Sequence, residues 1–261
     1  MSCPAPLSRP VVLSIAGADP SSGAGLQADL LTGAAMGVHV CTALTAWTVQ
    51  DSRGVLRVQT LDAADTRAQL ETLLADFSVA AVKIGLIGSL PMAEMLRDFL
   101  LVRCDLPLVI DPIWRAGGGQ ELADAALLDF LRVELLPLAR IATPNLPEAL
   151  QLTGADTADG AARAWPGDWL LISDGHGAAA QLDNRLYQRG TLAGRYPQPR
   201  LPGSYHGTGC TLSTAIAAGL ACGQSVPDAV ASSLAFTHAA VAKAYRAGHG
   251  QFFPDRWAAR P

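Results

Sequence analysis

Lysine is nearly missing from this 261-residue chain: Lys83 and Lys243 are the only two among 19 basic residues. Any phosphate chemistry must therefore draw positive charge from arginine, a metal ion or backbone N–H groups. Charge is scarce altogether, with 16% charged residues against 50% hydrophobic ones, a balance that excludes a disordered chain. The net charge of −4 supplies no basic field, so neither nucleic acid nor an anionic membrane is expected as a partner. Cysteine is sparse and unpaired in pattern: Cys3, Cys41, Cys104, Cys210 and Cys222 are odd in number and never form C-x-x-C. This excludes a zinc ribbon or a disulfide framework and points to a reducing, cytoplasmic setting. Residues 1–10 contain Pro4, Pro6 and Pro10 and lack the apolar core of a secretion signal, and a flexible N-terminal segment is expected there. Long apolar runs are also missing. The most apolar helical stretch, 212–222, falls well short of the ~18 residues that span a bilayer and holds Ser213 and Thr214. A helix buried in a protein core fits it better.

What remains is an alternating pattern. Apolar strand-like runs at 11–16, 38–45, 55–60, 79–84, 108–110, 139–142 and 169–172 are separated by helical periodicity at 25–36, 63–77, 91–102, 123–136 and from about 146. Shorter strands follow near 179–182 and 186–188, then helices at 208–221 and 226–247, with 192–205 read as a polar, proline-bearing loop. Strand–helix alternation predicts an α/β fold, a central mainly parallel sheet with helices on both faces. No repeat or linker interrupts it, so a single domain over 1–261 is expected.

Ligands of such sheets bind beyond the carboxyl ends of the strands, and five junctions there carry unusual chemistry. The first, residues 17–29, runs from Gly17 through a glycine-rich loop to Asp29. Its G-x-G-x-x-A fits a dinucleotide fingerprint only superficially, because six residues separate the strand end from those glycines. Asp29 serves either the helix dipole or a ligand. In the second, Gln50 can donate and accept at once, as needed to read a ring nitrogen beside an exocyclic amine; a turn residue is the plainer reading. The third places Asp111 at a strand end before Arg115 and three glycines, which suits a metal–phosphate region or a simple turn. In the fourth, Asn145 and Glu148 have the spacing of a helix capping box, and equally of an oxygen shell holding Mg²⁺ through water. The fifth, Gly207, Thr208, Gly209 and Cys210, opens an apolar helix. Successive N–H groups there form an anion hole, and the same field would lower the pKa of Cys210. A buried core cysteine is the alternative.

Together these segments resemble the hydroxymethylpyrimidine/phosphomethylpyrimidine kinases, members of the ribokinase-like superfamily. The resemblance rests on IAGADPSSGAGLQADL (15–30), VKIGLIG (82–88), TPNLPEA (143–149) and HGTGCTLS (206–213), in order along nearly the whole chain. It implies transfer of phosphate from ATP, with Mg²⁺, to the hydroxymethyl group of an aminopyrimidine and then to the monophosphate, in thiamine biosynthesis, commonly by a homodimer. It also implies that Gly17, Asp29 and Gln50 bind the pyrimidine and that Asn145 and Glu148 organise Mg²⁺ and the triphosphate. Asp111 and Arg115 would lie on the nucleotide side. Gly207, Thr208 and Gly209 would supply N–H groups to the transferring phosphoryl, with Cys210 as a thiolate base.

Two departures stand out. Many members have Lys-Gly-Gly-His where this chain has SDGH (173–176), and Ala-Lys-Ser-Gly where it has AGGG (116–119). Both missing lysines are plausible phosphate contacts, and Asp174 adds negative charge, so Arg115 is expected to make up part of the deficit. A pyridoxal kinase of the same superfamily and a weakly active, kinase-derived binding protein are the rival readings, with a dinucleotide oxidoreductase more distant.

Overall fold

The computed structural model describes residues 9–103, 105–114, 123–175 and 179–259. Nine strands form one sheet: β1 Val11–Ala18, β2 His39–Gln50, β3 Val55–Thr60, β4 Val79–Ile84, β5 Leu108–Ile110, β6 Ile141–Ala142, β7 Trp169–Ile172, β8 Gln181–Gln188 and β9 Thr191–Pro199. Their order is β3-β2-β1-β4-β5-β6-β7-β8-β9. The six from β2 to β7 pair in parallel, whereas β3, β8 and β9 are antiparallel additions at the two edges. The helices are α1 Gly25–Ala35, α2 Ala63–Asp76, α3 Leu90–Leu101, α4 Ala125–Phe130, α5 Leu146–Thr153, α6 Ala158–Ala164, α7 Thr208–Ala221 and α8 Val226–Ala242.

Period-two alternation sorts the central strands between two cores. Leu13, Ile15, Val82 and Ile84 join α3, α5 and α6 on one face, while Val12, Val109, Ile141 and Leu171 meet α7 and α8 on the other. On that second face β1 and β4 also carry polar residues. Ser14 and Lys83 are register partners, both fully buried. Each strand is thus apolar on one side and, near its carboxyl end, chemically specialised on the other.

Five points differ from the expectations. The stretch 123–136 is not one helix: α4 gives way to a π turn at Leu131–Leu135 and a 3-10 turn at Leu136–Leu138, because Pro137 has no N–H to continue an α-ladder. The supposed loop 192–205 begins as strand β9. Its Pro197 and Pro199 sit on the sheet edge, where an absent N–H costs no ladder bond. The two short strands before it are one strand, β8, and α6 had no predicted counterpart. Finally, α8 stops at Ala242; Tyr245 instead pairs with Phe253, bringing the tail back over the sheet's carboxyl end.

Candidate active site

The carboxyl ends of β1, β4, β5 and β6, with the loops before α5 and α7, enclose a cavity of about 770 Å³. It opens where the chain leaves β1 in one direction for β2 and later returns on the other side to β4, the switch point at which parallel sheets part their loops. Gly17, Gln50, Asp111, Asn145, Glu148, Gly207, Thr208, Gly209 and Cys210 all line it. Arg115 lies outside the described residues.

The floor is a buried charge cluster. Lys83 Nζ is 2.8 Å from Asp29 Oδ2, with both side chains fully buried. Asp29 also accepts from Ser14 Oγ at 2.6 Å and Thr214 Oγ1 at 2.7 Å. Burial alone would pull the Lys83 ammonium down, but Asp29, Cys210 and Asp111 reverse this and hold it above its ordinary pKa. The expectation that Asp29 touches a ligand is corrected. Its carboxylate faces inward from α1 as the counter-ion of Lys83, with its oxygens engaged, and it does not line the cavity.

Asp111 stands above this floor. Its pKa rises to about 6 through burial and the nearby Asp29 charge, although Lys83 opposes the shift. Glu148 is pushed up to about 8 by burial and by Asp111. The capping-box reading of the Asn145–Glu148 spacing holds. Asn145 Oδ1 accepts from the Glu148 N–H at 2.9 Å and Glu148 Oε2 from the Asn145 N–H at 2.8 Å, a complete capping box. That box fixes both side chains at the cavity wall.

The start of α7 is held by a close loop-to-loop contact. Gly207 has φ +79°, and a Cβ there would overlap the Gly23 carbonyl oxygen, so only glycine admits the approach. Gly25, with φ +58°, abuts the Gly17 carbonyl in the same way. Buried Arg256 ties the two loops together, donating to Gly23 O at 2.6 Å, Gly207 O at 3.4 Å and Thr211 Oγ1 at 2.9 Å. The first N–H groups of α7, from Thr208, Gly209 and Cys210, have no helical carbonyl to bond, and all three residues line the cavity.

The lowering of the Cys210 pKa expected at a helix start is not found. Burial pushes its thiol up to about 12, reinforced by Asp29 and Asp111; Lys83 and the Gly25 N–H pull the other way but do not prevail. The helix-terminus field acts on a side chain that burial has already neutralised.

At the β7 end of the cavity, Asp174 has its own counter-ion. Arg200 Nη2 lies 3.4 Å from Asp174 Oδ1, and the guanidinium also donates to Ala179 O and Gly175 O. Among the described residues, Lys83 and Arg200 are the lysine and arginine lining the cavity. Arg200 and Arg256 were not singled out in the sequence: one follows a strand read as a loop, the other sits in a tail with no motif. Asp19 and His206 lay inside recognised motifs without an assigned role. They form a contact of 2.7 Å.

The donors present suit a magnesium-bound triphosphate. Glu148 is a hard oxygen ligand whose ionised form an arriving cation would stabilise, and Thr143 Oγ1 is buried at the cavity wall without a partner among the described residues. No cluster of three or more His, Cys, Asp or Glu side chains among the described residues could cage a metal.

An open α/β sheet with a glycine-built anion hole at a helix start and carboxylates beside it defines a kinase of the ribokinase-like fold. The family model for phosphomethylpyrimidine kinase matches residues 19–255, and the chain belongs to that family. A relative from Streptomyces coelicolor named hydroxymethylpyrimidine/phosphomethylpyrimidine kinase is 40% identical, covering 94% of this chain and 93% of the relative. The ADP complex of Bacillus subtilis pyridoxal kinase superposes with a TM-score of 0.88 at 32% identity, covering 97% of this chain and 99% of the other. The Clostridium difficile phosphomethylpyrimidine kinase gives 0.76 at 31% identity, covering 89% and 100%. The chain is a phosphotransferase that uses ATP and a small-molecule substrate.

Proposed function

We propose that this kinase phosphorylates the hydroxymethyl group of 4-amino-5-hydroxymethyl-2-methylpyrimidine and then extends the monophosphate to the diphosphate, supplying thiamine biosynthesis in the cytoplasm. The observation that carries this reading is the shared cavity, in which a donor–acceptor amide, Gln50, and the open N–H groups of α7 face one space. Gly17 lets the ring lie close to the backbone, Gln50 reads its edge, and the arm points toward Thr208, Gly209 and Cys210. Phosphoryl transfer needs little beyond positioning and charge stabilisation, and the three N–H groups stabilise charge on the moving phosphoryl. Asn145 and Glu148 would hold Mg²⁺, which neutralises phosphate oxygens when bound.

The hydroxyl proton requires an acceptor. Asp111 is ionised above about pH 6 and lies against Gly209, whereas the Cys210 thiol, raised to about 12, is already protonated. We assign the proton to Asp111 and leave Cys210 to supply its backbone N–H and a small side chain. A single domain is supported by the one continuous sheet. A homodimer is supported by the exposed Trp47, Val49 and Leu56 on the edge hairpin.

The test is a coupled ADP-release assay with the aminopyrimidine, its monophosphate and pyridoxal in parallel. ATP turnover dependent on the pyrimidine, with an acid limb near pH 6 that persists in Cys210→Ala, is the expected result. Preference for pyridoxal would replace the substrate reading, and loss of turnover in Cys210→Ala at unchanged KM for ATP would return the proton to the thiol.

A further inference from the structure

The loop after β1 and the loop before α7 meet in a polar contact that phosphoryl transfer does not itself require. The Asp19 carboxylate is buried and meets donors on every side. Oδ1 accepts from the Ser21 N–H at 2.8 Å and the Ser21 hydroxyl at 2.7 Å, and Oδ2 from the Ala24 N–H at 2.8 Å. The remaining neighbour, His206 Nε2, is 2.7 Å from Oδ2. A carboxylate supplied in this way is ionised. Burial opposes ionisation, but these hydrogen bonds, led by that of His206, hold the Asp19 pKa below its ordinary value. The ring nitrogen facing it must therefore carry a proton and donate it.

The same Nε2 is 2.8 Å from the Gln50 amide nitrogen, while the Gln50 oxygen is 3.1 Å from Thr48 Oγ1. That arrangement turns two N–H donors against each other. Half a turn of the terminal amide removes the conflict without displacing a heavy atom. Gln50 Oε1 then shares the single His206 Nε2–H with Asp19 Oδ2 in a three-centre bond, and its Nε2 donates to Thr48 Oγ1. Thr48 can accept because its own proton goes to the Ala18 carbonyl at 3.0 Å. Each donor now has an acceptor, and the opposite orientation of the amide has none of this support.

We propose that His206, polarised by Asp19, and Thr48, polarised by the Ala18 carbonyl, lock the Gln50 amide in one orientation and so select a 4-aminopyrimidine edge over its 4-oxo isostere. This deepens, and rests on, the reading of Gln50 as the ring contact. With the amide oxygen on the His206 side and the nitrogen on the Thr48 side, a ligand must offer an amine to the first and a bare ring nitrogen to the second. The 4-oxo ring presents the reverse order, a carbonyl oxygen and a ring N–H. A free amide would flip to match it, but a locked one faces two like pairs. The ring cannot turn over instead, because its hydroxymethyl arm is held toward the start of α7. Gln50 is the contact residue, while His206, Asp19 and Thr48 are positioning residues acting through it.

The experiment compares kcat/KM for 4-amino-5-hydroxymethyl-2-methylpyrimidine and its 4-oxo counterpart in wild type, His206→Phe, Thr48→Val and Thr48→Ser. Wild type should prefer the amine by at least about 100-fold, as sites with fixed polar partners do. Both His206→Phe and Thr48→Val should cut that preference by about 10-fold or more, with Thr48→Ser retaining it. A merely structural role would lower both rates and leave the ratio intact, and that outcome overturns the lock while the kinase reading stands. If wild type phosphorylates neither ring, the pyrimidine reading has failed and the lock falls with it. Ring ¹⁵N chemical shifts of His206 in the ligand-free protein give an independent readout. A protonated Nε2 is expected, and a bare Nε2 overturns the proposal even if His206→Phe fails to fold.

Discussion

Replacing Lys83 with Met tests whether the floor of the cavity is held by charge or by packing. Methionine nearly conserves the volume of the lysine stem, so the perturbation is chiefly the loss of an ammonium 2.8 Å from a fully buried carboxylate. Breaking one side of a buried pair typically costs about 3–5 kcal/mol, because the surviving charge has no water to return to. Asp29 would keep the Ser14 and Thr214 hydroxyls, which places the expected loss near the lower bound, about 3 kcal/mol. For a chain of this size that corresponds to a fall in Tm of roughly 6–12 °C. Urea unfolding at pH 7 measures it directly, provided the m value is unchanged. The double variant Lys83→Met/Asp29→Asn removes both charges, its oxygen keeping one hydroxyl donor while its N–H₂ donates to the other hydroxyl, and it should be more stable than Lys83→Met by at least about 1 kcal/mol. A single variant within about 1 kcal/mol of wild type, or strictly additive losses in the double, would refute the view that the pair is electrostatically coupled.

Other perturbations follow from the same geometry. Glu148 keeps its proton in the fold up to about pH 8, whereas the unfolded chain releases it near its ordinary 4.5. The folded state thus binds more protons between those values, and its stability falls as pH rises through that window, by on the order of 2–4 kcal/mol. Glu148→Gln preserves the capping box, since its amide oxygen still accepts from the Asn145 N–H, and it should flatten the pH dependence in urea melts at pH 5, 6.5 and 8; an unchanged slope would assign the loss to other groups. Arg200→Ala leaves Asp174 uncompensated at the cavity wall and should raise the KM for ATP about 10-fold with little change in that for pyrimidine. Arg200→Ala/Asp174→Ser should recover part of that loss, and equal KM values for wild type and Arg200→Ala would exclude a nucleotide role. Gly207→Ala must move the Gly23 carbonyl or the start of α7. A displacement near 1 Å should lower kcat by about 100-fold while the far-UV circular dichroism is retained, and near-normal turnover would mean the anion hole is not positioned by this contact.

The parallel core was legible where its strands are short and mostly apolar, as in Val79–Ile84 and Leu108–Ile110, and the edge strand Val55–Thr60 was legible from its alternation; all three match the expected limits. The opposite edge was not, because β8 and β9 are half-exposed. Asp183, Asn184 and Arg185 break the apolar run of one, and Pro197 and Pro199 give the other the composition of a loop. At the site, motif spacing found the residues that line the cavity but could not separate lining from support. Asp29 lies in the same motif as Gly17, yet its position on α1 turns it inward onto Lys83. The pKa of Cys210 was misjudged for a related reason. A helix start is visible in the sequence, whereas the burial that outweighs its field depends on α1 and β4 closing over it.

The lysine shortage has a structural answer that does not require a one-for-one replacement. The position occupied by Ser173 in place of lysine is followed by Asp174, and across the antiparallel edge Arg200 reaches back from the end of β9 to pair with it. An ammonium held at the end of a strand is a compact point charge. A guanidinium fixed by Ala179 O, Gly175 O and Asp174 is a planar donor whose orientation is set before any nucleotide arrives. Because Asp174 offsets much of its charge, the exchange should weaken long-range attraction for ATP more than it weakens the final contacts, which depend on N–H direction. Raising ionic strength should therefore change the KM for ATP less here than in a relative with lysine at that position, since screening acts on net charge and spares close, directed hydrogen bonds. Installing Ser173→Lys with Asp174→Gly should steepen the salt dependence, and equal slopes for the two proteins would show that this edge carries none of the electrostatic attraction for ATP.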